Sequence, residues 1–213
     1  MNNSTFNLAS QNYQNNKLDV AENLCNKILK NNPNHFDSIF LLGVIATQKK
    51  NFYTAKKLLK KANQINSNHL PTLNNLGLVF QELGEYQKAV NYYEKAMQIQ
   101  KNNAFIYNNL GNSLKELRKI KEAINCYEKA IQINPNYFIA YNNLGKILSE
   151  NGYISEAQKY YKKALNLNPN LKEANDGYGK ILLKFNQHIK ALSYIKKGSG
   201  FIRFTNKDFK IIQ

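Results

Sequence analysis

The sequence predicts an all-α solenoid: a right-handed superhelix of six stacked helix-turn-helix hairpins, closed by a short C-terminal cap. Three observations predict it. Alanine recurs every 34 residues, at Ala21, Ala55, Ala89, Ala123, Ala157 and Ala191. A second column in the same register reads Ala9, Gly43, Gly77, Gly111, Gly145 and Gly179, each preceded by a large residue: Leu8, Leu42, Leu76, Leu110, Leu144 and Tyr178. The length of 213 residues holds six such units with a short remainder. One residue type at six successive multiples of a single period marks a repeat architecture.

The units run 2–35, 36–69, 70–103, 104–137, 138–171 and 172–205, the last degenerate, followed by a cap or tail over 206–213. Within each unit, apolar positions 4, 7, 8 and 11 fall on one face of a first helix. Positions 17, 20, 21, 24, 27 and 28 do the same for a second helix, as in Tyr86, Ala89, Val90, Tyr93, Ala96 and Met97. The Gly or Ala at position 8 and the Ala at position 20 let the two backbones approach closely. Pro33, Pro135 and Pro169 stop second helices, because proline cannot continue one. At the other junctions Ser67 and Lys101 replace proline, and turns there rest on Asn66, Asn68, Asn102 and Asn103. A single hairpin cannot bury its own apolar face, so neighbours must stack on it. The sixth unit carries Asp176, Gly177 and Lys184 in its first helix, and its second helix ends at Gly198-Ser-Gly200. The apolar segment from Phe201 to Gln213 is expected to pack on that hairpin as a short strand or helix.

The pattern resembles the tetratricopeptide repeat. Tyr107-Asn-Asn-Leu-Gly111 followed by Ala123, Ala130 and Pro135 is the clearest copy, and the resemblance spans nearly the whole chain. Departures sit mainly at the ends, with Ile28 and Gly198 in a small-residue column and Arg203 in the proline column. The Asn-Asn-Leu-Gly form also resembles the repeat arm of the O-linked N-acetylglucosaminyltransferases. That resemblance implies asparagines that hold peptide main chain.

Candidate binding residues lie on positions 2, 5, 6, 9, 12 and 13, opposite the core face of each first helix. In a stacked superhelix this side lines a concave groove. Position 6 carries Asn7, Asn75, Asn109 and Asn143, position 5 carries Asn74, Asn108 and Asn142, and Asn112 stands at position 9. An amide both donates and accepts, so such a ladder can bond an extended peptide backbone without demanding a sequence. Lys146 and Lys180 complete the candidate site, with Lys184 beside them toward the C-terminal end; Glu82, Glu116 and Glu150 occupy position 13. Changing Asn75, Asn109 and Asn143 to Ala is expected to weaken partner binding at nearly constant stability. The carboxylate clamp of chaperone-binding relatives needs Lys at position 5, and this chain has none there. The partner expected is therefore a protein or peptide, bound as an extended segment or a helix by a non-catalytic scaffold or adaptor. One alternative is the substrate-recruiting arm of a transferase or modification system whose catalytic part is separate.

The formal charge of +16 raises a second alternative, salt-sensitive polyanion binding through outward lysines. Lys27, Lys61, Lys95, Lys129, Lys163 and Lys197 recur at position 26, on an outward face. Arginine occurs only at Arg118 and Arg203, and specific nucleic-acid recognition leans on the guanidinium, so a nucleic-acid partner is disfavoured. Joint enrichment in Lys, Asn and Ile also fits simple compositional bias. Enzymatic function is not expected. His35 and His69 sit in inter-repeat turns and His188 in a core column, none with partners spaced for a triad or metal site. No catalytic residue, metal or cofactor is assigned. Cys25 and Cys126 read as buried small hydrophobes, the Tyr columns as core. With no secretory signal and no apolar run long enough to span a membrane, no membrane association is expected and the default location is cytoplasmic.

Overall fold

The computed structural model describes residues 2–199, 201–204 and 209–212, with side chains from 4 to 199. Twelve helices follow the 34-residue register. The first helices are α1 (Asn2–Gln14), α3 (Phe36–Gln48), α5 (Leu70–Glu82), α7 (Ala104–Glu116), α9 (Phe138–Glu150) and α11 (Lys172–Lys184). The second helices are α2 (Leu18–Asn31), α4 (Phe52–Ile65), α6 (Tyr86–Ile99), α8 (Ile120–Ile133), α10 (Ile154–Leu167) and α12 (His188–Ser199). Every helix starts 34 residues after its counterpart in the preceding unit.

The chain divides into two compact units, residues 1–102 and 103–213. In the first, the hairpins α1/α2, α3/α4 and α5/α6 stack through α2 on α3 and α4 on α5. In the second, α7/α8, α9/α10 and α11/α12 stack through α8 on α9 and α10 on α11. The C-terminal segment, expected as a strand or helix, adds a two-stranded antiparallel hairpin. Strand β1 (Phe201–Phe204) pairs with β2 (Phe209–Ile212), Phe201 opposite Ile212, and β1 lies against α12. Residue 200 and residues 205–208, parts of the expected cap and tail, and the side chain of Arg203 lie outside the described residues.

The alanine column is fully buried: Ala21, Ala55, Ala89, Ala123, Ala157 and Ala191 expose nothing. In the glycine column the expected backbone approach is seen at Gly179, where an added Cβ would stand 3.0 Å from the Ala191 carbonyl oxygen, but at every glycine of the column the nearest neighbour is a side chain. A Cβ added at Gly77 would stand 2.5 Å from Tyr93 Cε1, at Gly111 2.7 Å from Tyr127 Cε1, and at Gly43 2.7 Å from Leu59. The large side chain at position 24 therefore lies across position 8. Where position 24 holds the smaller Cys25, position 8 holds Ala9, and both are buried in one cluster. The pair conserves volume, as close packing requires. Burial pushes the Cys25 thiol up to about 11, so it stays protonated and inert at neutral pH. Cys126, expected to be buried, is only half-buried.

Turns follow local chemistry. Position 15 of every unit has a left-handed backbone, at Asn16, Lys50, Gly84, Arg118, Gly152 and Asn186. Gly and Asn suit that conformation, while Lys50 and Arg118 adopt it at a steric cost. At the inter-repeat junctions Asn66, Asn134 and Asn168 each accept a hydrogen bond from the backbone N–H two residues on. Asn103 caps α7, accepting from Phe105 and Ile106 N–H at 3.0 and 3.3 Å. His188, expected in a core column, is exposed. Its equivalents Leu18, Phe52, Tyr86, Ile120 and Ile154 are half-buried.

His69 ties stability to pH. Its ring stands edge-on to Phe36 and Phe40, with centroids at 4.8 and 4.9 Å, and its Nδ1 lies 2.8 Å from Thr72 Oγ1. Burial lowers its pKa, partly opposed by the charge of Asp37. The folded state therefore binds this proton less readily than the unfolded chain. The contribution of His69 is complete above the ordinary value of about 6.5 and is lost as pH falls below it. Urea unfolding at pH 7.5 and 5.5 is expected to show a larger acid loss for wild type than for His69→Gln.

Candidate functional site

The asparagines of the first helices are not equivalent. In the first unit, Asn7 is exposed, Asn74 and Asn75 half-buried. Asn75 Nδ2 donates to the Pro71 carbonyl one turn back, at 2.8 Å. Asn74 Oδ1 is buried and has no hydrogen-bond partner.

In the second unit four of the predicted residues form one network. Asn143 Nδ2 on α9 donates to Asn108 Oδ1 at 2.9 Å and to Asn112 Oδ1 at 3.2 Å, both on α7. Asn108 Nδ2 donates to Asn109 Oδ1 at 3.3 Å. Tyr127 on α8 donates its hydroxyl to Asn112 Oδ1 at 2.8 Å. Repetition brings this about: Asn143 and Asn109 share position 6, and stacking carries the later one back onto α7. Asn108 is 3% exposed, so its amide serves packing between hairpins; Asn109, Asn112 and Asn143 remain half-buried. Asn142 is also buried, with Oδ1 unpartnered. Position 5 is thus buried on α7 and α9, with Asn108 bonded to the next hairpin, which the helical wheel of one helix cannot show.

The lysines differ again. Lys146 is exposed, while Lys180 pairs with Asp176 Oδ2 at 2.6 Å, one helical turn away. Asp176 also accepts from Ser199 Oγ at 2.7 Å, which ties α11 to the end of α12. Glu82, Glu116 and Glu150 are exposed.

Sequence reasoning read Tyr127 as core and missed its part in this network. Its ring is buried, and burial raises its pKa, so the hydroxyl remains a donor. The usable signal was Asn112 directly after Gly111, because the residue at position 24 crosses that glycine. Tyr93 has Leu78 in the matching place, and its buried hydroxyl has no partner. Among the described residues no three His, Cys, Asp or Glu side chains gather as a metal site. Among the same residues no helix is long and apolar enough to cross a membrane.

The family model described as tetratricopeptide repeat matches residues 69–136 and 102–170. That of the anaphase-promoting complex, cyclosome, subunit 3, matches residues 14–96. No curated protein shows a significant match. Among solved structures, PilF of Pseudomonas aeruginosa is 28% identical with a TM-score of 0.71, over 78% of this chain and 77% of its own. PilW, a widely conserved type IV pilus biogenesis factor, is 18% identical with a TM-score of 0.81, over 91% and 90%. YrrB, a tetratricopeptide-repeat protein with an unusual peptide-binding site, is 20% identical with a TM-score of 0.62, over 83% and 91%. Residues 69–170 match the tetratricopeptide repeat, and the chain folds as an α-solenoid of helical hairpins.

Proposed function

We propose that the chain is a non-catalytic protein-interaction scaffold that holds an extended peptide or a helix on the asparagine-bearing side of its first helices. The observation carrying this reading is the network of Asn108, Asn109, Asn112 and Asn143. It fixes the orientation of half-buried amides. Asn109 accepts through Oδ1 and keeps two Nδ2 protons outside that bond, suited to peptide carbonyls. Ordering these side chains before binding lowers the entropy lost on association. Lys146, exposed on the next first helix, adds a cation at the edge of the same face. YrrB supports the reading to the extent that the same fold there carries a peptide-binding site.

The test is affinity capture from the source cell's lysate at two salt concentrations, with Asn75→Ala/Asn109→Ala/Lys146→Ala run alongside. Asn143 is left intact because it joins two hairpins. A discrete protein recovered at both salts and lost with the variant is the expected result. Undiminished capture by the variant overturns the reading.

A further inference from the structure

A cleft of about 310 Å³ in the first unit is lined by Lys56, Lys60, Phe80, Glu85, Lys88, Asn91, Tyr92 and Lys95. It is built from two helical stripes. Lys56 and Lys60 are one turn apart on α4, and Lys88, Tyr92 and Lys95 share a face of α6. Between them lies Phe80 of α5, buried and stacked on Tyr92 at 5.3 Å with the rings 10° from parallel. Four ammonium groups face one carboxylate. Glu85 accepts from Lys56 at 3.0 Å and from Lys88, and these bonds hold its carboxyl below the usual range. The Lys56 and Lys88 ammoniums lie 5.9 and 5.7 Å from the Phe80 ring centre, and that of Lys95 5.6 Å from the Tyr92 ring centre. Among the described residues, Lys60 and Lys95 have no carboxylate partner.

Gathering like charges costs free energy, and ring faces offset only part of it. The repeat does not demand the arrangement. The column of Lys56 otherwise holds Glu22, Val90, Ile124, Gln158 and Leu192, and that of Phe80 holds Asn12, Ala46, Leu114, Leu148 and Leu182. We propose that this cleft binds an oligophosphate chain, free or as part of a nucleotide. Lysine serves phosphate as a compact point charge. Lys88 and Lys95 are seven residues apart, about 10 Å along α6, more than the oxygens of one phosphate reach and within the span of a chain of them. The stacked rings of Phe80 and Tyr92 form an aromatic floor beneath the ammonium groups. Confinement to one hairpin pair suits a small ligand rather than a long polyanion.

Titration calorimetry of the full chain at about 0.15 M salt tests this, with sodium tripolyphosphate, metal-free ATP and citrate as probes. One-to-one binding of tripolyphosphate is expected, at least about tenfold weaker in Lys60→Gln/Lys95→Gln and unchanged in Lys129→Gln/Lys163→Gln, with helicity equal in all three. Equal affinity for ATP assigns recognition to the phosphates alone; tighter ATP binding adds the nucleoside; both support the site. Failure of tripolyphosphate to bind, equal binding of citrate, or equal loss in both double variants overturns it.

Discussion

Tyr127→Ala is expected to destabilise the second unit by about 3–5 kcal/mol, the range for removing a buried aromatic side chain. The ring is 1% exposed and lies across Gly111, whose missing Cβ leaves the space it occupies. Truncation opens a cavity between α7 and α8 and removes the donor to Asn112. Tyr127→Phe separates the two effects. It keeps the ring and loses only the hydroxyl bond, at about 0.5–1.5 kcal/mol. Tyr93→Phe is the control: it removes a buried hydroxyl that has no partner, so it is expected to be neutral or stabilising. Urea unfolding followed by far-ultraviolet circular dichroism checks all three, and equal losses for the two Phe variants would sink the assignment.

Asn143→Ala is expected to cost about 1–3 kcal/mol, unlike the near-neutral effect anticipated for a groove residue. Its Nδ2 spans Asn108 and Asn112, and its loss leaves the buried Asn108 Oδ1 without that donor. Asn75→Ala, which removes a bond only within its own helix, is expected to cost less. A melting comparison of the two variants decides whether the network joins the α7/α8 and α9/α10 hairpins. Equal melting temperatures would mean that it does not.

Each asparagine's position on its helix was legible, because 100° per residue places positions 5 and 6 off the core face. Whether an amide then meets solvent or a neighbour was not. Asn109 and Asn143 share a column, yet one is joined to its own helix and the other reaches back to the preceding first helix. The charge was legible as a total and as a column at position 26. Five lysines of that column are exposed as expected, Lys95 among them beside the cleft, while Lys61 is half-buried and bonds the Pro33 carbonyl at 2.6 Å.

The period of 34 alone dictates where every helix begins, because apolar spacing and the stop signals between helices are local properties of the chain. It also dictates which alanines and glycines are small, though not for which neighbour. That Tyr93 and Tyr127 fill the glycine gaps, that Asn143 bridges two hairpins, and that lysines from α4 and α6 meet over Phe80 all depend on side chains far apart in sequence approaching one another. Stacking brings them together, and a spacing rule written along one helix carries no information about what arrives from the next.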